Sequence, residues 1–199
     1  MGGFFGVTSR RNCILDVFFG TDYHSHLGTR RGGMAAYDAG IGLQREIHNI
    51  ENSPFRTKFE HILDEMTGNA AIGCISDSDP QPLLIRSNLG TYAIATIGVI
   101  NNAEALIDQF LSFSGGHFDA MTGGRVNSNE LIAALINQKS SFVEGIRFAQ
   151  SVIDGTASIL ILRDNGHLIA ARDRMGRLPV SIGRDEDGYC VSFESFAGM

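Results

Sequence analysis

Asp164-Asn165-Gly166 separates SILILR from HLIAARD, and this tight turn between two apolar runs restricts the possible folds more than any other stretch of the chain. A tight turn of this composition between two such runs is the signature of a β-hairpin, so the two runs pair as antiparallel neighbours. Asp185 to Gly188 repeats the device before YCVSFES, and the last third of the chain reads as a run of short antiparallel strands. Upstream, AAIGCIS and TYAIATIGVI are apolar and bounded by Gly, Ser, Asp or Asn, which marks them as buried strands. The opening GGFFGVTS is a further strand, with Phe4, Phe5 and Val7 as its apolar residues.

Between these runs the period changes from two to that of a helix. In CILDVFFGTDYHSHLGT, residues Ile14, Leu15, Val17, Phe18, Phe19 and Leu27 fall close to one helical face, with a turn expected at Gly20 or Gly28. In NSPFRTKFEHILDEM, Ser53 is placed to cap a helix that begins at Pro54 and carries Phe55, Phe59, Ile62, Leu63 and Met66 on one side. NNAEALIDQFLSF predicts a helix capped by Asn101 or Asn102, with Ala105, Leu106, Phe110 and Phe113 against a sheet. After the glycine-rich turn SGGHFDAMTGGR, two more helices are expected in NSNELIAALINQ and SFVEGIRFAQSV. Strands, then helices, then a meander of strands favour an α+β layered domain over a doubly wound parallel sheet.

Composition narrows the function classes. With 199 residues, 43% of them hydrophobic and 19% charged, the chain has the material for one substantial core. A net charge of −6, with the 16 Lys and Arg scattered, argues against a nucleic-acid surface. Cys13, Cys74 and Cys190 have no metal-ligand spacing and an odd count, which fits a reducing, cytoplasmic setting. No apolar run approaches the roughly 20 residues of a membrane span, so no membrane partner is expected. The Met-Gly start has Gly6 where a myristoylation signal wants Ser or Thr. Gly123-Gly124-Arg125 reads as a turn, since no GxxxxGK[ST] phosphate loop occurs.

The ordered landmarks add up to a resemblance. GGFFGV, TRRGGMAAY, IGCISDSDPQPLL, YAIATIGVINNAEAL, NSNELI, LIAARDRMGRLPVSIGR and CVSFESFA occur in the order of motifs found in the glutaminase domain of class II glutamine amidotransferases. The amidophosphoribosyltransferases are the members they resemble most. The resemblance implies an N-terminal nucleophile hydrolase fold, a four-layer αββα sandwich of two antiparallel sheets flanked by helices. It also implies that residues 1–199 form one domain cut from a longer chain with a C-terminal phosphoribosyltransferase domain as partner, that the protein is a homo-oligomer, and that no cofactor or metal is used.

In such domains an N-terminal cysteine attacks the glutamine amide, its own amino group serving as base. An asparagine side chain and a glycine N–H hold the oxyanion, and an arginine and an aspartate hold the substrate's charged ends. Carried over position by position, the nucleophile falls on Gly2, and a shift by one to Gly3 does no better. The oxyanion positions fall on Ile97 and Gly98, the anchoring arginine on Ser76, and the anchoring aspartate on Ser128. Arg31, with Ser76 and Ser128 a position of the vestigial substrate pocket, remains as a landmark together with Gly32, Gly73, Gln81-Pro82, Glu130, Arg172-Asp173 and Glu194-Ser195. An engineered cysteine-to-glycine change alters one position, whereas here four differ together. Thr8, Ser9 or Cys13 as a replacement nucleophile requires processing, and Cys13 precedes a helix. A degenerate glutaminase domain accounts for all four changes.

A second class of function is a binding or regulatory module, because Ile97 and Val99 would make the old pocket more apolar. A third is a scaffold for the partner domain. His24 and His26 have no third metal ligand at suitable spacing and are expected to be solvated or locally capped. Asp77, Asp79 and Asp119 could suggest paired carboxylates, but the first two, in SDSDP, are expected to shape a turn. Arg172-Asp173 is expected to form a structural ion pair.

Overall fold

The computed structural model describes residues 2–195. Its elements in chain order are β1 (Gly2–Ser9), α1 (Ile14–Tyr23), β2 (Arg31–Asp38), β3 (Gly42–Asn49), α2 (Phe55–Phe59), α3 (Ile62–Glu65), β4 (Ala70–Ser76), β5 (Leu83–Ser87), β6 (Gly90–Ile100), α4 (Ala103–Ser114), β7 (Met121–Thr122), β8 (Arg125–Val126), α5 (Ser128–Ile136), α6 (Phe142–Val152), β9 (Gly155–Arg163), β10 (Leu168–Ala171), β11 (Ser181–Arg184) and β12 (Gly188–Ser192). They build a six-stranded sheet in the order β11-β12-β1-β4-β2-β3 and a four-stranded sheet in the order β10-β9-β6-β5, with β7 and β8 as a small separate hairpin. Every pairing in the two large sheets is antiparallel.

The period-two alternation of side chains explains why strands apolar at every position fit here. Phe4, Ile72, Cys74, Ala93, Ala95, Leu160 and Leu162 fill the space between the sheets. Their neighbours turn outward. Phe5, Val7, Met34, Ala71 and Ile75 pack under α1, α2 and α3, while Tyr92, Ile94, Ile159 and Ile161 pack under α4, α5 and α6. Both sheets are therefore covered on both faces, which is the expected αββα sandwich.

Several local expectations are corrected. The C-terminal strands do not form one meander: β9 and β10 join the four-stranded sheet, whereas β11 and β12 join the six-stranded one. Gly20 does not turn the first helix but lies inside α1, where a Cβ would stand 2.1 Å from the Phe5 ring, so glycine is what lets the helix sit on β1. The helix ends instead in a 3-10 turn over His24–Leu27. Pro54, with φ −56° and ψ 153°, takes the cap position expected for Ser53, and the predicted helix divides into α2 and α3.

Asn102 does sit at the start of α4, yet its side chain ties down the end of α6 instead. Its Nδ2 donates to the Val152 carbonyl at 2.9 Å, and its Oδ1 accepts the Asp154 N–H at 2.9 Å. On α4 the buried residues are Leu106 and Ile107, while Phe113 is 90% exposed and lies off the expected face. The hairpin of β2 and β3, the strand β5 and the small β7–β8 hairpin were not anticipated. The Asp164-Asn165-Gly166 turn joins two antiparallel strands as expected, as a three-residue loop in which only Gly166 takes a positive φ, +79°, and donates its N–H to the Arg163 carbonyl. Among the described residues no helix is long and apolar enough to cross a membrane.

Candidate functional site

Strand register assembles the residues that the sequence singled out. Gly2 on β1 and Arg31 on β2 both lie opposite Ser76 on the intervening β4, so the three form a row at one end of the six-stranded sheet. Ile97 reaches this row from β6 of the facing sheet. A Cβ built on Gly2 would lie 3.1 Å from Ile97 Cδ1 and only 2.3 Å from the Ile75 carbonyl oxygen. The space that a nucleophilic side chain would enter is thus occupied by hydrocarbon and backbone.

Beside this row lies a cavity of about 360 Å³, bordered by Ser76, Ile97, Gly98, Ser128, Asn129 and Ile132 among others. Ser76, Ile97, Gly98 and Ser128 therefore converge on one space, whereas Gly2 and Arg31 stand outside its lining. Gly98 is required by its neighbour, since a Cβ there would approach the Thr156 carbonyl oxygen to 2.0 Å. Val99 borders the cavity but is 62% exposed, so only Ile97 contributes a buried apolar wall from the pair expected.

The SDSDP loop bends as expected, with the Ser78 N–H donating to Ser76 Oγ at 3.1 Å, but its two carboxylates serve distant backbone groups and not the bend itself. Asp77 Oδ1 accepts the Thr29 N–H at 2.7 Å, and Asp79 Oδ2 accepts the Ser128 N–H at 2.9 Å. The latter bond, together with Asn127 Oδ1 accepting from the Asn129 N–H at 2.8 Å, satisfies the first free amides of α5. Gln81 Oε1 accepts the Thr96 N–H at 2.8 Å and pins the loop to β6. Gln81 was recognised only as a landmark and Asn127 and Asn129 not at all. Asn127, just before an apolar helical run, carries the cap signal that would have found it. Asp119 stands apart, exposed beside His117, and Glu130 holds the backbone N–H groups of Asp119 and Ala120.

Other expectations resolve as follows. Cys13 is buried, its Sγ lies 3.4 Å from the Gly68 carbonyl oxygen, and desolvation pushes its thiol up to about 12, which makes a poor nucleophile at neutral pH. Thr8 lies six residues along β1 from Gly2, roughly 20 Å at strand rise, so it cannot serve the same space. All three cysteines are free. The Arg172–Asp173 ion pair is not found. Asp173 is buried and gives its carboxylate to the Ala157 and Arg177 N–H groups at 3.3 and 3.2 Å, a turn-building role in which backbone donors replace the guanidinium.

His24 is buried and locally capped, with Nδ1 2.6 Å from the Gly20 carbonyl oxygen. His26 is exposed and lies 3.1 Å from Glu194. Burial pushes the His24 imidazole below its ordinary value, against a smaller opposing pull from the Gly20 carbonyl. The folded chain then holds this ring neutral while the unfolded chain protonates it near the usual ~6.5. Below that value the unfolded state binds more protons, so this contribution to stability is lost as pH falls toward the lower folded value. Urea titrations at about pH 7.5 and 5.5 should show a drop in stability on acidification that is smaller in His24→Gln.

The arrangement defines a class of protein: a sandwich of two antiparallel sheets with outer helices, in which Gly2 of the first strand pairs with Ser76 beside the cavity, is an N-terminal nucleophile hydrolase fold. The chain belongs to the glutamine amidotransferase domain family, whose model matches residues 67–197. It is 29% identical to the amidophosphoribosyltransferase of Methanocaldococcus jannaschii over 99% of this chain and 43% of that one. It is 28% identical to the amidophosphoribosyltransferase of Bacillus subtilis, over 98% of this chain and 41% of that one. The solved glutamine phosphoribosylpyrophosphate amidotransferase from B. subtilis, complexed with ADP and GMP, superposes with a TM-score of 0.83 over 98% of this chain and 42% of that chain, at 28% identity. The chain thus spans less than half the length of the curated relatives it matches.

Proposed function

We propose that this domain keeps the glutaminase scaffold and has lost glutamine hydrolysis. The observation that carries the reading is the closure at Gly2, where Ile97 and the Ile75 carbonyl stand in the path of any side chain. The loss extends beyond the nucleophile, although the oxyanion glycine position, Gly98, is kept. Gly2 offers no nucleophile, Ile97 offers no oxyanion donor, and Ser76 and Ser128 offer no charge to a substrate's carboxylate and ammonium. Removing one oxyanion donor alone costs about 100- to 1000-fold in rate.

The reading extends to the setting of the domain. Its relatives are longer, and we place residues 1–199 as one domain beside a C-terminal phosphoribosyltransferase domain, in a cytoplasmic homo-oligomer of the purine-biosynthesis kind. Such a parent would take free ammonia, because this domain delivers none from glutamine. The test is glutamate release from glutamine by the purified chain, together with mass spectrometry for a glutamyl adduct. Turnover, or a covalent adduct on any side chain, overturns the proposal.

A second reading is favoured by one observation: the cavity remains open although the nucleophile's place is filled. Its volume of about 360 Å³ lies within the ~300–1,000 Å³ of small-molecule sites. Its wall combines Ile97 and Ile132 with the polar Ser76, Thr96 and Ser128, which suits a small, mainly apolar ligand with a few hydrogen-bonding groups. A thermal-shift screen should find such a ligand stabilising the chain, by about 2.7 kcal/mol at a hundredfold excess over its Kd, and glutamine giving no shift. A screen without any stabilising ligand leaves the domain as a scaffold.

A further inference from the structure

Away from the cavity, on the helix-covered face of the six-stranded sheet, three potential metal ligands converge that sequence spacing does not group. Glu46 and His48 are two apart on the edge strand β3 and so share a face. His61 lies in the turn between α2 and α3, directly over that face. His61 Nε2 is 2.6 Å from Glu46 Oε1, and His48 Nε2 is hydrogen-bonded to the same oxygen. One ligand atom from each of the three lies within 4.8 Å of the other two. The His48 ring is held in place by an edge-to-face contact with Phe59, centroids 4.9 Å apart.

We propose that Glu46, His48 and His61 form a Zn²⁺ site. Two imidazoles and one carboxylate are ligands of a borderline transition metal, whereas Mg²⁺ and Ca²⁺ prefer all-oxygen shells. Bonds of about 2.0–2.2 Å in a tetrahedral shell put donor atoms roughly 3.4 Å apart, a spacing these side chains reach by small torsional adjustments. Side-chain exposures of 27% for Glu46, 33% for His48 and 41% for His61 leave the fourth position to water. The ion relieves the convergence of two ring nitrogens on one carboxylate oxygen, and it staples the α2–α3 turn to the edge strand. The site shares no residue with the cavity and does not depend on the fate of glutamine hydrolysis.

The experiment uses the 199-residue chain, stripped with a chelator and titrated with Zn²⁺ by calorimetry and with Co²⁺ by visible absorption. One ion per chain is expected, with the intense d–d bands of four-coordinate Co²⁺ and a raised melting temperature. His48→Ala and His61→Ala should each weaken binding by at least about 100-fold, more than the loss of an outer-shell partner costs, and Glu46→Gln should bleach the Co²⁺ bands. His61 is partly exposed in a turn, so its replacement leaves the fold intact, as circular dichroism will verify. His26→Ala, in an exposed histidine elsewhere, should bind as the parent does. Absence of stoichiometric binding, or equal affinity in the parent and His61→Ala, overturns the proposal and leaves a hydrogen-bonded Glu–His pair cluster only.

Discussion

Gly2→Cys is expected to leave glutamate release at background and to lower the melting temperature, even though it puts a thiol at the position where the resemblance places the nucleophile. The new Cβ would start 2.3 Å from the Ile75 carbonyl oxygen and 3.1 Å from Ile97 Cδ1, so β1 must shift away from β4 to admit it. Overpacking of this kind costs about 1–3 kcal/mol, which is about 2–4 °C of melting temperature per kcal/mol in a domain of this size. On the proposed reading, a thiol that did enter would meet a site lacking an oxyanion donor at Ile97, a deficit of about 100- to 1000-fold. Ser76 and Ser128 would add the loss of two hydrogen bonds to charged groups, about 1.5–3 kcal/mol each. Adding Ile97→Asn to Gly2→Cys should therefore also fail to produce turnover, because the substrate remains unanchored. Glutamate assays on the parent and both variants check this, and recovery of activity by Gly2→Cys alone would show that Ser76, Ile97 and Ser128 do not disable the site.

The second large effect is on stability. Phe4→Ala should cost about 3–5 kcal/mol and lower the melting temperature by roughly 6–20 °C. Phe4 is fully buried between the two sheets and meets Phe193 edge-on at 5.6 Å between centroids, so its removal leaves a void that both sheets must tolerate. Phe113→Ala should stay within about 0.5 kcal/mol, because that ring lies almost wholly in solvent. Chemical denaturation of the pair measures the contrast directly. Similar losses in both would mean that α4 buries Phe113 against another surface in solution.

What could be read from the sequence depended on how local each signal is. The hairpin at Asp164-Asn165-Gly166 was legible because Asp and Asn favour turns and Gly166 supplies the one positive φ that closes the loop. Strands buried on both faces were legible as apolar runs, in AAIGCIS and TYAIATIGVI above all. The β2–β3 hairpin was not, because MAAYDAGIGLQREIHN mixes small and charged residues, and β3 is an edge strand whose exposure removes the apolar signature. The break between α2 and α3, and the split of the last strands over two sheets, are decided by tertiary packing. At the candidate site, the order of motifs pointed to Gly2, Ser76, Ile97 and Ser128, and the structure brings the last three to one cavity. The closure of Gly2 by Ile97 was invisible, since it depends on how far apart two sheets stand. The grouping of Glu46, His48 and His61 was invisible for a related reason: it joins a strand to a turn lying over it.

The position of β1 has a consequence for how the molecule comes into being. This first strand is flanked by β4 on one side and by β12 on the other, with Phe5 opposite both Gly73 and Ser192. Nearly the whole described chain must be synthesised before the second of these pairings can form. Contacts of such sequence separation place the domain among slow folders of high contact order, and until β12 arrives β1 presents an open edge to other chains. This strand is therefore constrained whether or not it carries a nucleophile. The segment remains the seam on which the larger sheet is closed, and the demands of assembly suffice to retain it.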